Sequence, residues 1–142
     1  MYQLKLVSTE EETLEFEKMR ERIFNHGKEI TKLSQGAFSD AILGGDMLAF
    51  QCLEDKKSIG GMLLRLQQKS IKVSRLFVEK DKRGRGAGSF MLKYVEDHKD
   101  FFEDYYGTEI GGILVEPLDT SVDYYFNKGY DYSGYQMYKR YK

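Results

Sequence analysis

Apolar and polar positions change period several times along this chain, and each change marks an element. Tyr2 to Val7 alternates, with Leu4 and Leu6 on one parity, which predicts a first strand. The period then turns helical: Phe16, Met19, Arg20 and Ile23 recur at helix spacing, so a helix should bury a Phe16–Met19–Ile23 stripe. Thr9-Glu10-Glu11-Glu12 signals its start, because the Thr9 hydroxyl can take an N3 amide while Glu12 reaches back. Three acids in the first turn suit the helix dipole, and Asn25-His26-Gly27 supplies a stop with Gly27 as C-cap. Phe38, Ile42 and Leu43 predict a short second helix that Gly44-Gly45 ends.

Strand-like segments follow at Met47–Leu53, Ser58–Gln67 and Ile71–Glu79, with short polar connections that make an antiparallel meander. Gly60-Gly61 inside the second argues for a bulge, or for close approach of another backbone or a ligand. In the third, Ile71, Val73, Arg75 and Phe77 share one parity, and Ser74, Leu76 and Val78 the other. Its end is apolar on both faces, as suits a central strand covered by helices on either side. A helical segment from Ser89 to Phe102 carries the stripe Met91, Tyr94, Val95, His98 and Phe102, and Tyr105-Tyr106-Gly107 breaks it. Gly111–Val115 reads as a short buried strand, and a strand–helix–strand connection of this length implies a parallel pair with a right-handed crossover. Ser121–Lys128 is a short helix with Asp119 or Thr120 as cap, and Tyr130–Tyr132 and Tyr135–Tyr141 close the fold around a Ser133-Gly134 turn. The order β-α-α-β-β-β-α-β-α-β-β describes an α/β (α+β) fold. It is a mixed, mostly antiparallel central sheet with helices on both faces, one domain over residues 1–142.

Composition narrows the partners. Lys and Arg number 22 and Asp and Glu 23, for a net charge of -1, which points to neither a nucleic acid nor a membrane surface. Cys52 is the single cysteine, so no internal disulfide forms, and its apolar run reads as a buried core thiol rather than a nucleophile. Met1 to Thr9 lacks the apolar region of a signal peptide, and no run approaches the ~18 apolar residues of a membrane helix. A soluble cytoplasmic protein is expected.

The candidate chemistry centres on Arg83-Gly84-Arg85-Gly86-Ala87-Gly88, between the apolar run Leu76-Phe77-Val78 and a helix. Closely spaced glycines let the backbone curl and come close to a ligand. A helix start leaves N–H groups unpartnered at the positive end of the dipole, so this unit is a ready phosphate or pyrophosphate site, with Arg83 and Arg85 adding cationic forks. No Lys follows a glycine at the Walker position, which disfavours ATP or GTP hydrolysis. Gly84-x-Gly86 is followed by Ser89 where a dinucleotide fingerprint needs its third glycine.

What does match is Arg-x-x-Gly-x-Gly at Arg83, Gly86 and Gly88, five residues after Val78. It resembles the acetyl-coenzyme A signature of the GNAT superfamily of N-acetyltransferases. Tyr124-Tyr125-Phe126-Asn127-Lys128-Gly129-Tyr130 is similar to that family's late motif, an aromatic-Tyr pair followed by Gly and an aromatic. The resemblance spans roughly Ile59 to Tyr130. It implies acetyl transfer from acetyl-CoA, as cosubstrate, to the primary amine of a small molecule or peptide, without a metal. Homodimers are common in that family.

By the same resemblance, the pyrophosphate rests on backbone amides from Arg83 to Ser89. The pantetheine arm pairs beside Leu76, Phe77 and Val78, the Val78 amide meets the oxyanion, and Tyr125 protonates the leaving thiolate. In several family members a glutamate on the strand before the loop removes the amine's proton. Here that strand carries Lys72, Ser74 and Arg75, and Glu79 replaces a common proline. Glu116 and Asp119 are then candidates through water, and the base stays unassigned. Leu118-Asp119-Thr120-Ser121 departs from the Asn and Ala usual ahead of the aromatic pair. His26 reads as a helix-end residue and His98 as packed or half-exposed. The alternatives are a non-catalytic acyl-CoA-binding module or sensor on the same fold, and a different nucleotide-binding domain.

Overall fold

The computed structural model describes residues 1–24, 40–117 and 122–142. Four antiparallel neighbours come first: β1 (Tyr2–Leu6), β2 (Met47–Glu54), β3 (Lys57–Gln67) and β4 (Ser70–Val78). β5 (Gly112–Val115) runs parallel to β4, and β6 (Asp131–Ser133) and β7 (Gln136–Arg140) complete the sheet. Among the described residues these form one seven-stranded sheet in the order β1-β2-β3-β4-β5-β7-β6. The helices are α1 (Glu10–Phe24), α2 (Ala87–Asp97), α3 (Lys99–Tyr106) and α4 (Val122–Asn127), and residues 40–43 are also helical. The fold is therefore the mixed, mostly antiparallel α/β arrangement that the pattern predicts. Among the described residues no helix is long and apolar enough to cross a membrane.

The helix start at α1 is built by the expected reciprocal cap. The Glu12 amide donates to Thr9 Oγ1 at 3.1 Å, and the Thr9 amide donates to Glu12 Oε1 at 3.2 Å. Phe16, Met19 and Ile23 are buried as the stripe requires, together with Val7, Ile42, Ala49, Leu63 and Phe77. Phe16 reaches the sheet because Gly61 has no side chain: a Cβ there would stand 2.8 Å from the Phe16 ring and 2.7 Å from the Phe50 carbonyl. The expected stop at Asn25-His26-Gly27, and Phe38, lie outside the described residues, as do the cap candidates Asp119 and Thr120. Leu4 packs partly buried against the core, whereas Leu6 is 39% exposed.

Two departures from the pattern matter. The expected helix over Ser89–Phe102 is two helices that meet at His98, whose φ of -120° and ψ of 38° break the first. Its ring Nδ1 bonds the Tyr94 carbonyl at 2.8 Å, the acceptor that a continuing helix would give to the His98 N–H. The ring then stacks on Tyr94 in the exposed layer.

The second is a bulge in β4. Leu64 pairs with Val73 but Leu63 with Arg75, so Ser74 is an extra residue. Parity resets there. Ile71 and Val73 join Leu76 and Val78 on the face that α2 and α3 cover, where Met91, Leu92, Val95 and Phe102 pack. Arg75 and Phe77 turn to the α1 face. The single-parity set Ile71, Val73, Arg75 and Phe77 is thus corrected.

Candidate active site

β4 and β5 are paired only from Ser70–Gly112 to Val73–Val115. Past the Ser74 bulge, β4 keeps β3 on one edge and loses β5 on the other. The Glu79 N–H donates to the Ile59 carbonyl at 2.7 Å, so Phe77, two residues earlier, faces that same β3 edge. Leu76 and Val78 therefore present N–H and C=O to the open edge. Arg83 occupies one of these groups: its Nε donates to the Val78 carbonyl at 2.9 Å. Among the described residues no strand covers this edge, which is a strand template.

The glycine loop stands beside this edge. Gly84 and Gly86 have φ of +77° and +96°, and a Cβ on either would meet nothing within 4 Å. The loop needs glycine for its backbone, and the space around it is open. Gly86 is the N-cap of α2 and no side chain caps it. The first helical bond runs from the Phe90 amide to the Gly86 carbonyl at 2.9 Å, so the Ala87, Gly88 and Ser89 amides form a first turn with no backbone partner among the described residues. Gly88 faces the strand, since a Cβ there would lie 3.5 Å from Leu76 Cδ2. Uncapped amides and the positive end of the dipole make this an anion site.

Strand edge, loop and helix start share one groove of about 320 Å³ with Tyr124 and Tyr125. Tyr124 and Ser89 hydroxyls bond at 2.6 Å, joining the start of α2 to α4. Tyr125 is held edge-on between Tyr124 and Tyr130, with ring centroids 5.2 and 5.5 Å away. Burial raises its phenol to about 12, so the hydroxyl stays protonated at neutral pH.

Most of the sequence-predicted residues are brought together here. Leu76, Val78, Arg83 and Gly84 line the groove, as do Gly86, Ala87, Gly88, Ser89 and Tyr125. Two stand apart. Phe77 is buried on the other face against Phe16, at 5.4 Å between centroids, and only its backbone belongs to the strand end. Arg85 is exposed outside the groove, and its carbonyl accepts from the Tyr2 hydroxyl at 2.9 Å. Sequence reasoning missed Lys82 and Leu92; Leu92 was legible one helical turn after Gly88. Glu79 pairs with Arg22 and so ties the end of α1 to the end of β4. Cys52 is fully buried, and burial pushes its thiol up to about 11. Among the described residues no three His, Cys, Asp or Glu side chains gather as metal ligands would.

On the opposite face the opening is flanked by charge. Lys72 Nζ donates to Glu116 Oε1 at 2.5 Å, and Gln136 Nε2 donates to the same oxygen at 3.1 Å. Lys72 first and Gln136 second hold the Glu116 carboxyl below its ordinary range. Asp119, the other candidate base, lies outside the described residues.

The sheet thus parts between two parallel strands, beside a glycine loop and an uncapped helix start. The family profile described as an acetyltransferase (GNAT) domain matches residues 10–141, and the chain belongs to that family. Arabidopsis thaliana NAA60, solved in complex with a bisubstrate analogue, is similar over 100% of this chain and 99% of that one, at 10% identity and a TM-score of 0.76. A putative N-acetyltransferase from Lactobacillus plantarum covers 99% of both chains at 16% identity, with a TM-score of 0.74. The PaiA N-acetyltransferase of Thermoplasma acidophilum, in complex with coenzyme A, has 16% identity and a TM-score of 0.66 over 100% of this chain and 99% of that one. At these identities the likeness is one of fold. No curated protein matches the chain significantly.

Proposed function

We propose that this protein transfers an acetyl group from acetyl-CoA to the primary amine of a small molecule or peptide by direct attack on the thioester. The observation that carries the proposal is the open edge at Leu76 and Val78 beside the uncapped start of α2. The edge suits an extended amide-bearing arm, and the helix start suits a pyrophosphate. Their junction is the opening between β4 and β5.

Each group then has a role. The Ala87, Gly88 and Ser89 amides hold the pyrophosphate, and Arg83 adds charge while fixing loop to strand. The pantetheine arm lies along Leu76 and Val78 as an added strand would. The N–H of Val78 donates to the thioester oxygen as it becomes an oxyanion. One such donor is worth roughly 3 kcal/mol.

The acceptor enters from the α1 face as an ammonium that first gives a proton to solvent. Its nitrogen lone pair forms the new N–C bond, and the C–S bond breaks with its electrons on sulfur. Tyr125 gives its phenolic proton to that thiolate, the nitrogen loses its extra proton to water, and water returns a proton to Tyr125. The phenol is protonated at neutral pH; burial raises it and so weakens it as an acid, and it is the position of Tyr125 in the groove that supports the role.

A non-catalytic acyl-CoA sensor is the second reading. It is favoured by Glu116, the described candidate base, being engaged by both Lys72 and Gln136. Assay of CoA thiol release with an amine panel separates the two. Transfer requires thiol and acetylated amine in equal amounts, whereas a sensor binds acetyl-CoA and releases no thiol.

A further inference from the structure

The Ser74 bulge has a chemical consequence on the α1 face. Without it Lys72 and Arg75, three residues apart, would lie on opposite faces of β4. With it, Lys72 pairs across to Arg65 and Arg75 to Leu63, alternate residues of β3, so the two cations share one face. Glu116 follows Val115, the last paired residue of β5, and by alternation stands on that face too. The opening between the strands is therefore flanked by Arg75 on one side and Glu116 on the other.

The two cations are not equivalent. Lys72 is nearly buried, its side chain 11% exposed, and its charge is spent on Glu116. Arg75 is half-buried; its Nη1 donates to the Ser74 carbonyl at 2.6 Å, and no carboxylate pairs with it among the described residues. Its field reaches Glu116 and helps to lower that carboxyl. A guanidinium has five N–H donors and cannot be neutralised, so the remaining donors suit a planar two-oxygen acceptor. Glu116 is 47% exposed and held ionised, so it can face an ammonium from solvent.

We propose that Arg75 and Glu116 select an acceptor that carries a carboxylate near its amine, an amino-acid-like zwitterion, with Arg75 taking the carboxylate and Glu116 the ammonium. The inference rests on the transferase reading and names its substrate class. An acceptor that bears only cations, such as a polyamine, meets at the opening a guanidinium that no carboxylate pairs among the described residues, and is rejected.

The test is acetyl-CoA-dependent thiol release with the common amino acids, their carboxamides, and spermidine as a carboxylate-free amine. Removing the carboxylate should cost on the order of tenfold or more in kcat/KM, mainly through KM. In Arg75→Gln the ratio of acid to carboxamide should fall to near one, and Arg75→Lys should keep part of the preference. Thermal midpoints of both variants show whether they fold. Spermidine or carboxamides turned over as well as the acids would overturn the inference and leave the transferase reading standing. So would a carboxylate preference that survives Arg75→Gln. Bound acetyl-CoA with no thiol released for any amine would overturn both.

Discussion

Arg83 donates through Nε to the Val78 carbonyl at 2.9 Å, and this bond fixes the glycine loop to the strand edge it faces. Val78 sits at the end of β4, and Arg83 opens the loop that leads into α2. Their contact sets the distance between the two halves of the proposed acetyl-CoA site. Arg83 also lines the groove, so one side chain both positions the loop and charges the site.

Arg83→Lys should therefore weaken acetyl-CoA binding by about tenfold, since a hydrogen bond to a charged group is worth about 1.5–3 kcal/mol. A lysine has no planar fork to reach the Val78 carbonyl and the groove together. Arg85→Lys, outside the groove, should stay within about twofold. Calorimetric titration of both variants checks this, and equal losses would contradict it.

Two of the loop's three glycines, Gly86 and Gly88, separate fold from ligand. Gly86 has φ of +96°, so Gly86→Val should cost about 1–2 kcal/mol of backbone strain and lower the thermal midpoint even without ligand. Gly88 has room for a methyl at ordinary contact distance from Leu76, so Gly88→Ala should fold as well as the parent. Its added methyl should nonetheless weaken acetyl-CoA binding, because it stands between helix start and strand. Titration showing full affinity in Gly88→Ala would place the pyrophosphate elsewhere.

Acid should find the α1 cap. Lys5 Nζ lies 2.8 Å from Glu12, and that bond first, then the Ser8 amide, lowers the Glu12 carboxyl from 4.5 to about 2. A carboxyl depressed on folding adds stability above its unfolded pKa and loses it as pH falls through the folded one. Glu12→Gln should thus melt at a lower temperature than the parent at pH 7, and the gap should close between pH 4.5 and pH 2. A gap that stays constant over this range would show that the charge contributes nothing.

How much was legible depended on whether the signal was local. The Thr9–Glu12 cap, the loop Arg83–Gly88 and the Tyr125-to-Gly129 spacing are each written within a few residues, and the structure forms the cap and brings the loop and tyrosine together. The Ser74 bulge leaves no such mark. A serine in an alternating strand looks like any other polar position, and only the pairing with Leu63 and Leu64 shows it to be extra. The break at His98 was equally hidden, because no glycine or proline announces it and a side-chain bond to Tyr94 makes it. Lys72 and Glu116 are 44 residues apart, and no local pattern links them.

The central claim is acetyl transfer at the opening of the sheet with Tyr125 as the acid, and Tyr125→Phe tests it most directly. The ring stays between Tyr124 and Tyr130, so the fold and acetyl-CoA affinity should be close to those of the parent. Loss of a general acid typically costs roughly 10²–10⁴-fold in rate. Measured with an amine whose chemistry limits turnover, kcat should fall by that order while the dissociation constant for acetyl-CoA holds, and Tyr124→Phe should show no comparable drop. Turnover of Tyr125→Phe at the parental kcat would contradict the account.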